Sequence, residues 1–373
     1  MATGMQSTYV GTVPQKRVVS DRILFTEPNE TPLLSALGMS AEQKIKLVNA
    51  PGAKYEWLYD TYSSLSDTAA DTTITSDSTV TSIVVTDGSK FQAGDVIQID
   101  SEYIWVSSIS TNTLTVTRNY GGTQATHAST STVYIRSRAR LEGASNTTSH
   151  YTQPTSDYNY SFILHKAVKI SRTDARIQRY GLGDIVNFEI DKKMDELKMD
   201  LSRKPYYGQR KAGSASTPRD AGGFDAFITT NVTTMSGALT LKAIEDAVQS
   251  CWSYGGNPSL LVCGGWAKRK INSFFEGSVR TERSETLGGV TIDSIQTGIG
   301  AKLNVLVDRW CPTNALWILD PSLVGFLTVD EFFYEELGKT ADTAADGQIV
   351  GEYGFIVADE KKHAKISGFS TTA

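Results

Sequence analysis

The spacing of apolar positions changes several times along the chain. Between Ala53 and Asp60 the text AKYEWLYD is aromatic-rich and strand-like. From Tyr158 onward Tyr158, Tyr160, Phe162 and Leu164 alternate with Asn159, Ser161 and Ile163, the period-two signature of a strand. Between these runs, Val80 to Arg136 holds short β-rich segments (SIVVTDG, FQAGDVIQID, SEYIWVSSIS, NTLTVTR, STVYIRS) punctuated by Asp87-Gly88, Ala93-Gly94, Asn112 and Gly121-Gly122. Turn signals at such short intervals predict a small all-β module. The two aromatic strands read as the arms of one hairpin over 51–79 and 137–172, with the module at 80–136 inserted near its tip.

The longest helical signal follows. Ile190, Met194, Leu197 and Leu201 place one apolar stripe on a helix between Leu182 and Arg203. Glu189 with Lys193 and Asp200 with Lys204 stand four apart in the favourable order, and Pro205 is expected to end the helix. At 1.5 Å per residue it spans roughly 30–35 Å. Beyond Gly208 helices and strands mix. Thr240 is a candidate N-cap for a helix with Leu241, Ile244, Val248 and Cys251 inward, PSLLVC reads as a buried strand, and WAKRKINSFF as a second amphipathic helix. VTIDSIQTG, LNVLVD and ALWILD look like strands, GSVRTERSETLGG like an exposed loop, and a hairpin is expected around Ala358-Asp359-Glu360. The first fifty residues have only short apolar clusters broken by Pro28 and Pro32, and read as an arm lying on something else.

Composition narrows the function. The 373 residues are 40% hydrophobic and 21% charged, enough for two or three cores. A net charge of −5 argues against a surface devoted to nucleic acid. The cysteines Cys251, Cys263 and Cys311 have no metal or disulfide spacing and read as buried thiols in a reducing compartment. No apolar h-region opens the N-terminal text and no run is long enough to span a bilayer, so no membrane partner is expected.

Candidate chemistry is sparse. Gly338-Lys339-Thr340 lacks the rest of a phosphate loop, the Gly181 and Gly298 regions lack the third glycine of a dinucleotide site, and neither GxSxG nor HExxH occurs. His127, His150, His165 and His363 lie in separate segments, and His127, beside the Gly121-Gly122 turn, is expected to be solvated. The carboxylates read as solvated helix faces and turns. No catalytic residue, cofactor or metal is expected. Trp57, Tyr59, Tyr158, Tyr160 and Phe162, on a ribbon too thin to bury them, are expected to contact a neighbouring subunit, with packing on the long helix of the same chain as the alternative. On the interface reading, removing the Trp57 and Tyr59 rings leaves a folded monomer that assembles poorly.

Three stretches carry a resemblance: His165–Leu201, Arg219–Asn231 and the C-terminal FFYEELGKTADTAADGQIVGEYGFIVADEKKHAKISGF. With the order of elements they resemble tailed-phage major capsid proteins of the Hong Kong 97 type, over most of the chain outside 73–138. The resemblance implies an α+β fold with an N-terminal arm (1–50), an extended loop, a spine helix in a peripheral domain (173–235 and 325–373) and a mainly axial domain (236–324). It implies hexamers and pentamers of an icosahedral head enclosing the genome, assembled in the host cytoplasm. The partners it implies are the portal, weakly held DNA, and separate scaffolding or decoration proteins, since only about fifty residues precede the hairpin. Arg176 and Arg179 are further candidate intersubunit contacts. A tail-tube or adhesin protein, or an enzyme with an unrecognised site, are the competing readings.

Overall fold

A computed structural model describes residues 30–38, 52–71, 73–75, 80–138, 142–143, 152–177, 184–274, 283–287, 290–338 and 343–371. In chain order they form α1 (Pro32–Gly38), β1 (Lys54–Tyr59), β2 (Ser66–Thr68), β3 (Thr73–Ile74), β4 (Ser82–Val84), β5 (Val96–Ile99), β6 (Glu102–Ser110), β7 (Thr113–Gly121), β8 (His127–Ala128) and β9 (Thr132–Ser137). Next come β10 (Thr155–Tyr160), β11 (Phe162–Ser171), α2 (Arg172–Arg176), α3 (Ile185–Tyr207), α4 (Phe224–Phe227), β12 (Val232–Thr234), α5 (Leu241–Ser253), β13 (Leu260–Cys263) and α6 (Gly265–Phe274). The last are β14 (Arg283–Leu287), β15 (Val290–Gln296), β16 (Lys302–Val307), β17 (Ala315–Leu319), β18 (Val324–Glu336), β19 (Thr343–Val357) and β20 (Ala364–Ser367). The chain divides into two compact units, Met1–Trp57 with Asp157–Ala373, and Leu58–Ser156.

The first unit rests on two sheets. One runs β12-β20-β17-β13-β16-β15-β14, with β13 parallel to β16 and β12 parallel to β20. Every residue of β13 and β17 is buried, as their unbroken apolar text requires. Thr240 caps α5 by accepting from the Ala243 N–H (3.3 Å), and Ile244, Val248 and Cys251 pack into the core of this sheet. The second sheet, β11-β19-β18, is antiparallel, and α3 lies on it. Leu197 packs with Val168, Ile170 and Ile349, and Ile190 and Met194 extend the stripe along the helix.

Four local expectations change. The strand drawn through Tyr158–Ser171 breaks at Ser161, whose N–H donates to Ala53 O (2.9 Å) and whose carbonyl accepts from Arg219 Nε (3.0 Å). With its main chain diverted, β10 pairs with β1 and β11 crosses to β19. Pro205 lies inside α3, which runs on to Tyr207 and closes with Gly208 N–H donating to Lys204 O. A helix-interior proline costs about 3 kcal/mol. Continuing the helix buries Tyr206 against Trp317 (5.2 Å between centroids) and Phe224 (5.9 Å), with its hydroxyl 2.7 Å from Asp308 Oδ2, which offsets that cost. Finally, Ala358-Asp359-Glu360 does not turn a hairpin: β20 leaves β19 and pairs with β12 and β17. The ion pairs on α3 also differ from the expected i,i+4 set, with Lys193 meeting Glu196 and Lys204 meeting Asp220.

The second unit is a β-module with a sheet of order β2-β9-β5-β6-β7-β4 and a short β3-β8 pair. Its core is mainly aliphatic, with Ile83, Ile97, Ile99, Ile104, Val106, Leu114 and Val133 fully buried around Phe91. The compact unit is wider than 80–136, because β2 and β3 precede Val80 and pair with β9 and β8.

The root of the β1-β10 ribbon belongs to the first unit. Trp57 is buried, with its ring 5.8 Å from Phe227. The Tyr55 hydroxyl accepts from the Phe355 N–H (2.7 Å) and donates to the Phe355 carbonyl (2.9 Å). Gly354 is required beneath it, since a Cβ there would lie 2.6 Å from the Tyr55 hydroxyl. Trp57→Ala is therefore expected to destabilise the first unit by about 3–5 kcal/mol, and Tyr55→Phe by about 1–3 kcal/mol through the Phe355 groups it leaves unsatisfied; chemical denaturation of the unassembled chain measures both. Residues 62–151 should be removable with a short glycine linker, because Thr152 Oγ1 already donates to Thr61 O (3.2 Å). Cutting only 80–136 leaves β2 and β3 without partners and should give a less cooperative product by calorimetry.

Candidate functional site

The residues singled out for intersubunit contact divide into two groups. Trp57 and Phe162 are buried within the chain, the first on Phe227, the second beneath the Lys204 ammonium 5.0 Å from its ring centroid. The premise that the ribbon has no internal partner for them fails, because α3 and α4 supply one. Tyr158 and Tyr160 are half-buried, 5.7 Å apart edge to face. Lys54 (4.2 Å) and Arg210 (4.8 Å) both address the Tyr158 ring, and Arg210 also pairs with Asp157 (2.8 Å). Tyr59 is half-buried. Arg176 is exposed at the end of α2; Arg179 and His150 lie outside the described residues. What the alternation does not single out is the opposite row: Leu58 and Ile163 are exposed, and so is Ile177 beside Arg176.

The strongest electrostatic feature lies inside the β-module. Leu114, Val116 and Arg118 share the inward face of β7, so period two carries a guanidinium into the core. Glu102 meets it there. Arg118 Nε donates to Glu102 Oε1 and Nη2 to Oε2, both at 2.7 Å, in a bidentate pair. Nη1 also donates to Thr75 O (2.9 Å) and Nη2 to Ala125 O (2.7 Å). His127 is completely buried, not solvated, with Nδ1 2.6 Å from Asp100 Oδ2 and Nε2 3.0 Å from Glu102 Oε2. Burial alone would raise the Glu102 carboxyl, but hydrogen bonds from Arg118, His127 and the Ala125 and Asn119 amides hold it down at about 2. Both nitrogens of His127 face carboxylates, so no hydroxyl or thiol stands where a nucleophile would need to be. The cluster fastens β8 to β6 and β7.

His363 and the buried cysteines are structural. His363 is fully buried, accepting at Nδ1 from the Asp320 N–H (3.2 Å) and donating from Nε2 to Ala358 O (3.1 Å); burial pushes it down to about 4. Burial pushes the Cys251 and Cys263 thiols up to about 12, the inert state expected of them. Among the described residues no group of His, Cys, Asp and Glu is arranged to hold a metal, and no helix is long and apolar enough to cross a membrane.

His363 and Glu102 contribute to the acid response over different pH ranges. An unfolded histidine takes up its proton near 6.5 and His363 only near 4, so its contribution is complete above 6.5 and is lost as pH falls to 4, by about 3 kcal/mol at most. Glu102 contributes fully above 4.5 and loses its share as pH falls toward 2. Hydrogen exchange followed across pH should show the first unit weakening between 6.5 and 4 while the module holds until below about 4.5. Glu102→Gln, which strands a buried guanidinium, should cost the module about 3–5 kcal/mol at neutral pH.

A family model described as SU10 major capsid protein matches residues 4–370. A structure from Mycobacterium phage Bobi aligns with TM-score 0.51 at 9% identity, covering 95% of this chain and 96% of that one. The capsid of a native GTA particle aligns with TM-score 0.50 at 11% identity, over 97% of each chain. The capsid of Myoviridae Phage XM1 gives TM-score 0.50 at 9% identity, over 94% and 96%. At such identities the likeness is one of fold, the Hong Kong 97-type arrangement. No curated protein matches.

Proposed function

The chain belongs to the SU10 major capsid protein family, and from that premise we propose how it builds a tailed-phage head: as hexamers and pentamers that close into an icosahedral shell around the genome. It is a major capsid protein, a structural component of the virion and not an enzyme, and it assembles with copies of itself. The observation that carries this is the family match over residues 4–370, which takes in both compact units.

The finer assignments rest on the fold. The β11-β19-β18 sheet with α3 serves as the peripheral domain, and the seven-stranded sheet, drawing β20 from the C-terminal return, as the axial domain. The β1-β10 ribbon is the extended loop, and the β-module is an insertion in it. Tyr158, Tyr160, Tyr59, Arg176 and Arg179 meet neighbouring copies, joined by Leu58; Trp57 and Phe162 hold the ribbon from within. Portal, scaffolding and decoration proteins are its other partners, the packaged DNA is held by weak non-specific contact, and assembly takes place in the host cytoplasm. A mildly acidic subunit suits weak contact, because phosphate binding scales with clustered cations.

Each subunit contributes modest contacts to several neighbours, and closure sums them. Expression of the full chain, alone and with its phage's other head proteins, should yield hollow shells or capsomers by negative-stain microscopy. A chain that stays monomeric in both settings, at high concentration, would contradict the reading.

A further inference from the structure

The β11-β19-β18 sheet carries opposite charges on its two edges. At the β18 edge the text from Asp330 to Glu336 is DEFFYEE, and Asp330, Glu331 and Glu335 are exposed with no cationic partner among the described residues. At the β11 edge the strand runs directly into α2, whose first and last residues, Arg172 and Arg176, are exposed with no carboxylate partner among the described residues. The other cations along β11 are taken, Lys166 by Glu196 and Asp200, Lys169 by Asp346. Strand order separates the two sets, neither of which has an ionic partner among the described residues although Glu335 accepts from Gln348 Nε2 (3.1 Å), by the whole width of the sheet, roughly 10 Å of strand spacing.

Each edge also exposes apolar surface among its charges. Phe333 lies between the acids of β18, and Ile177 follows Arg176. An exposed apolar side chain flanked by exposed charges, facing a counterpart whose exposed charges are of the other sign, is the make-up of a specific protein contact, and on α2 the one acid, Asp174, is half-buried between the two exposed arginines. Acids on an edge strand can also serve only to repel stray strands, but that role does not account for unpaired arginines on the opposite edge.

We propose that the acidic β18 edge of one copy receives Arg172 and Arg176 of a second copy. The contact is head to tail, each copy giving one edge and taking the other, the kind of interface that rotation closes into a ring. This deepens the shell reading and rests on it, naming the surface that Arg176 meets. The pairs are solvent-exposed and individually weak, so their effect on assembly comes from repetition around the shell.

The experiment is a charge swap in the full chain, under the conditions that give wild-type shells. Glu331→Lys with Glu335→Lys, and separately Arg172→Glu with Arg176→Glu, should each keep the wild-type melting temperature while lowering shell yield roughly tenfold, because every subunit repeats the lost contact. All four substitutions in one chain should restore the yield. Wild-type shells together with undiminished yield from either reversed variant would overturn the contact and leave the shell reading standing. Folded single-edge variants that the four-fold variant fails to rescue would overturn it as well. So would arginine-reversed shells that form at full yield but retain less DNA, since the arginines would then face the genome. Absence of wild-type shells would sink the shell reading and this contact with it.

Discussion

The main-chain groups of Phe355 are where the ribbon is tied to the first unit. Tyr55 from β1 closes on both of them, and Asn159 from β10 donates to the same carbonyl (2.6 Å) while exchanging a pair of hydrogen bonds with Gly222 (2.8 and 3.1 Å). All of these atoms are buried, so each unmade bond would leave a desolvated polar group. The junction therefore fixes four segments at once: β1, β10, β19 and the loop that leads into α4. The break at Ser161 follows from it. Once β10 is held at Asn159, the next residues must turn away, and the freed Phe162–Ser171 run is available to pair with β19 for ten residues. That long pairing in turn makes the floor on which α3 lies.

The same logic of satisfied burial governs the β-module. An arginine on the inward face of β7 is untenable without a counter-charge, and Glu102 at the start of β6 supplies one in bidentate geometry. Glu102 has further oxygen capacity, and His127 and two backbone amides fill it. Asp100 reaches the other side of the imidazole from a left-handed turn, φ 53°, a conformation aspartate tolerates better than most residues. A polar core of this kind specifies register: a one-residue slip of β7 would turn Arg118 outward and leave Glu102 buried without a cation.

Much of this was legible in the text. The β-module, the stripe on α3, the Thr240 cap and the buried strands of the seven-stranded sheet all follow from local periodicity and caps, which depend on neighbours in sequence. Where the text misled, the deciding partner was distant. Trp57 and Phe162 looked like interface rings because their partners, Phe227 and Lys204, stand far along the chain. Pro205 looked like a stop because the burial of Tyr206 against Trp317 is a tertiary gain that no propensity contains. His127 looked solvated beside its turn because Asp100 and Glu102 converge on it from another hairpin. One warning was present: Leu114, Val116 and Arg118 share a face, and an arginine in that row calls for a buried carboxylate.

A subunit of a closed shell gains from keeping its strong interactions inside and its weak ones outside. The bidentate Arg118–Glu102 pair, the Tyr206–Asp308 hydrogen bond and the junction at Phe355 are all desolvated, where charge and geometry are worth most. The outward charges, by contrast, are screened by salt and worth little one at a time. Weak contacts let a misplaced subunit leave before it is trapped, while symmetry multiplies a correctly placed one. Strength inside the fold and weakness at its edges are thus two halves of one requirement, since a subunit that bound its neighbours as firmly as it binds itself would not correct errors.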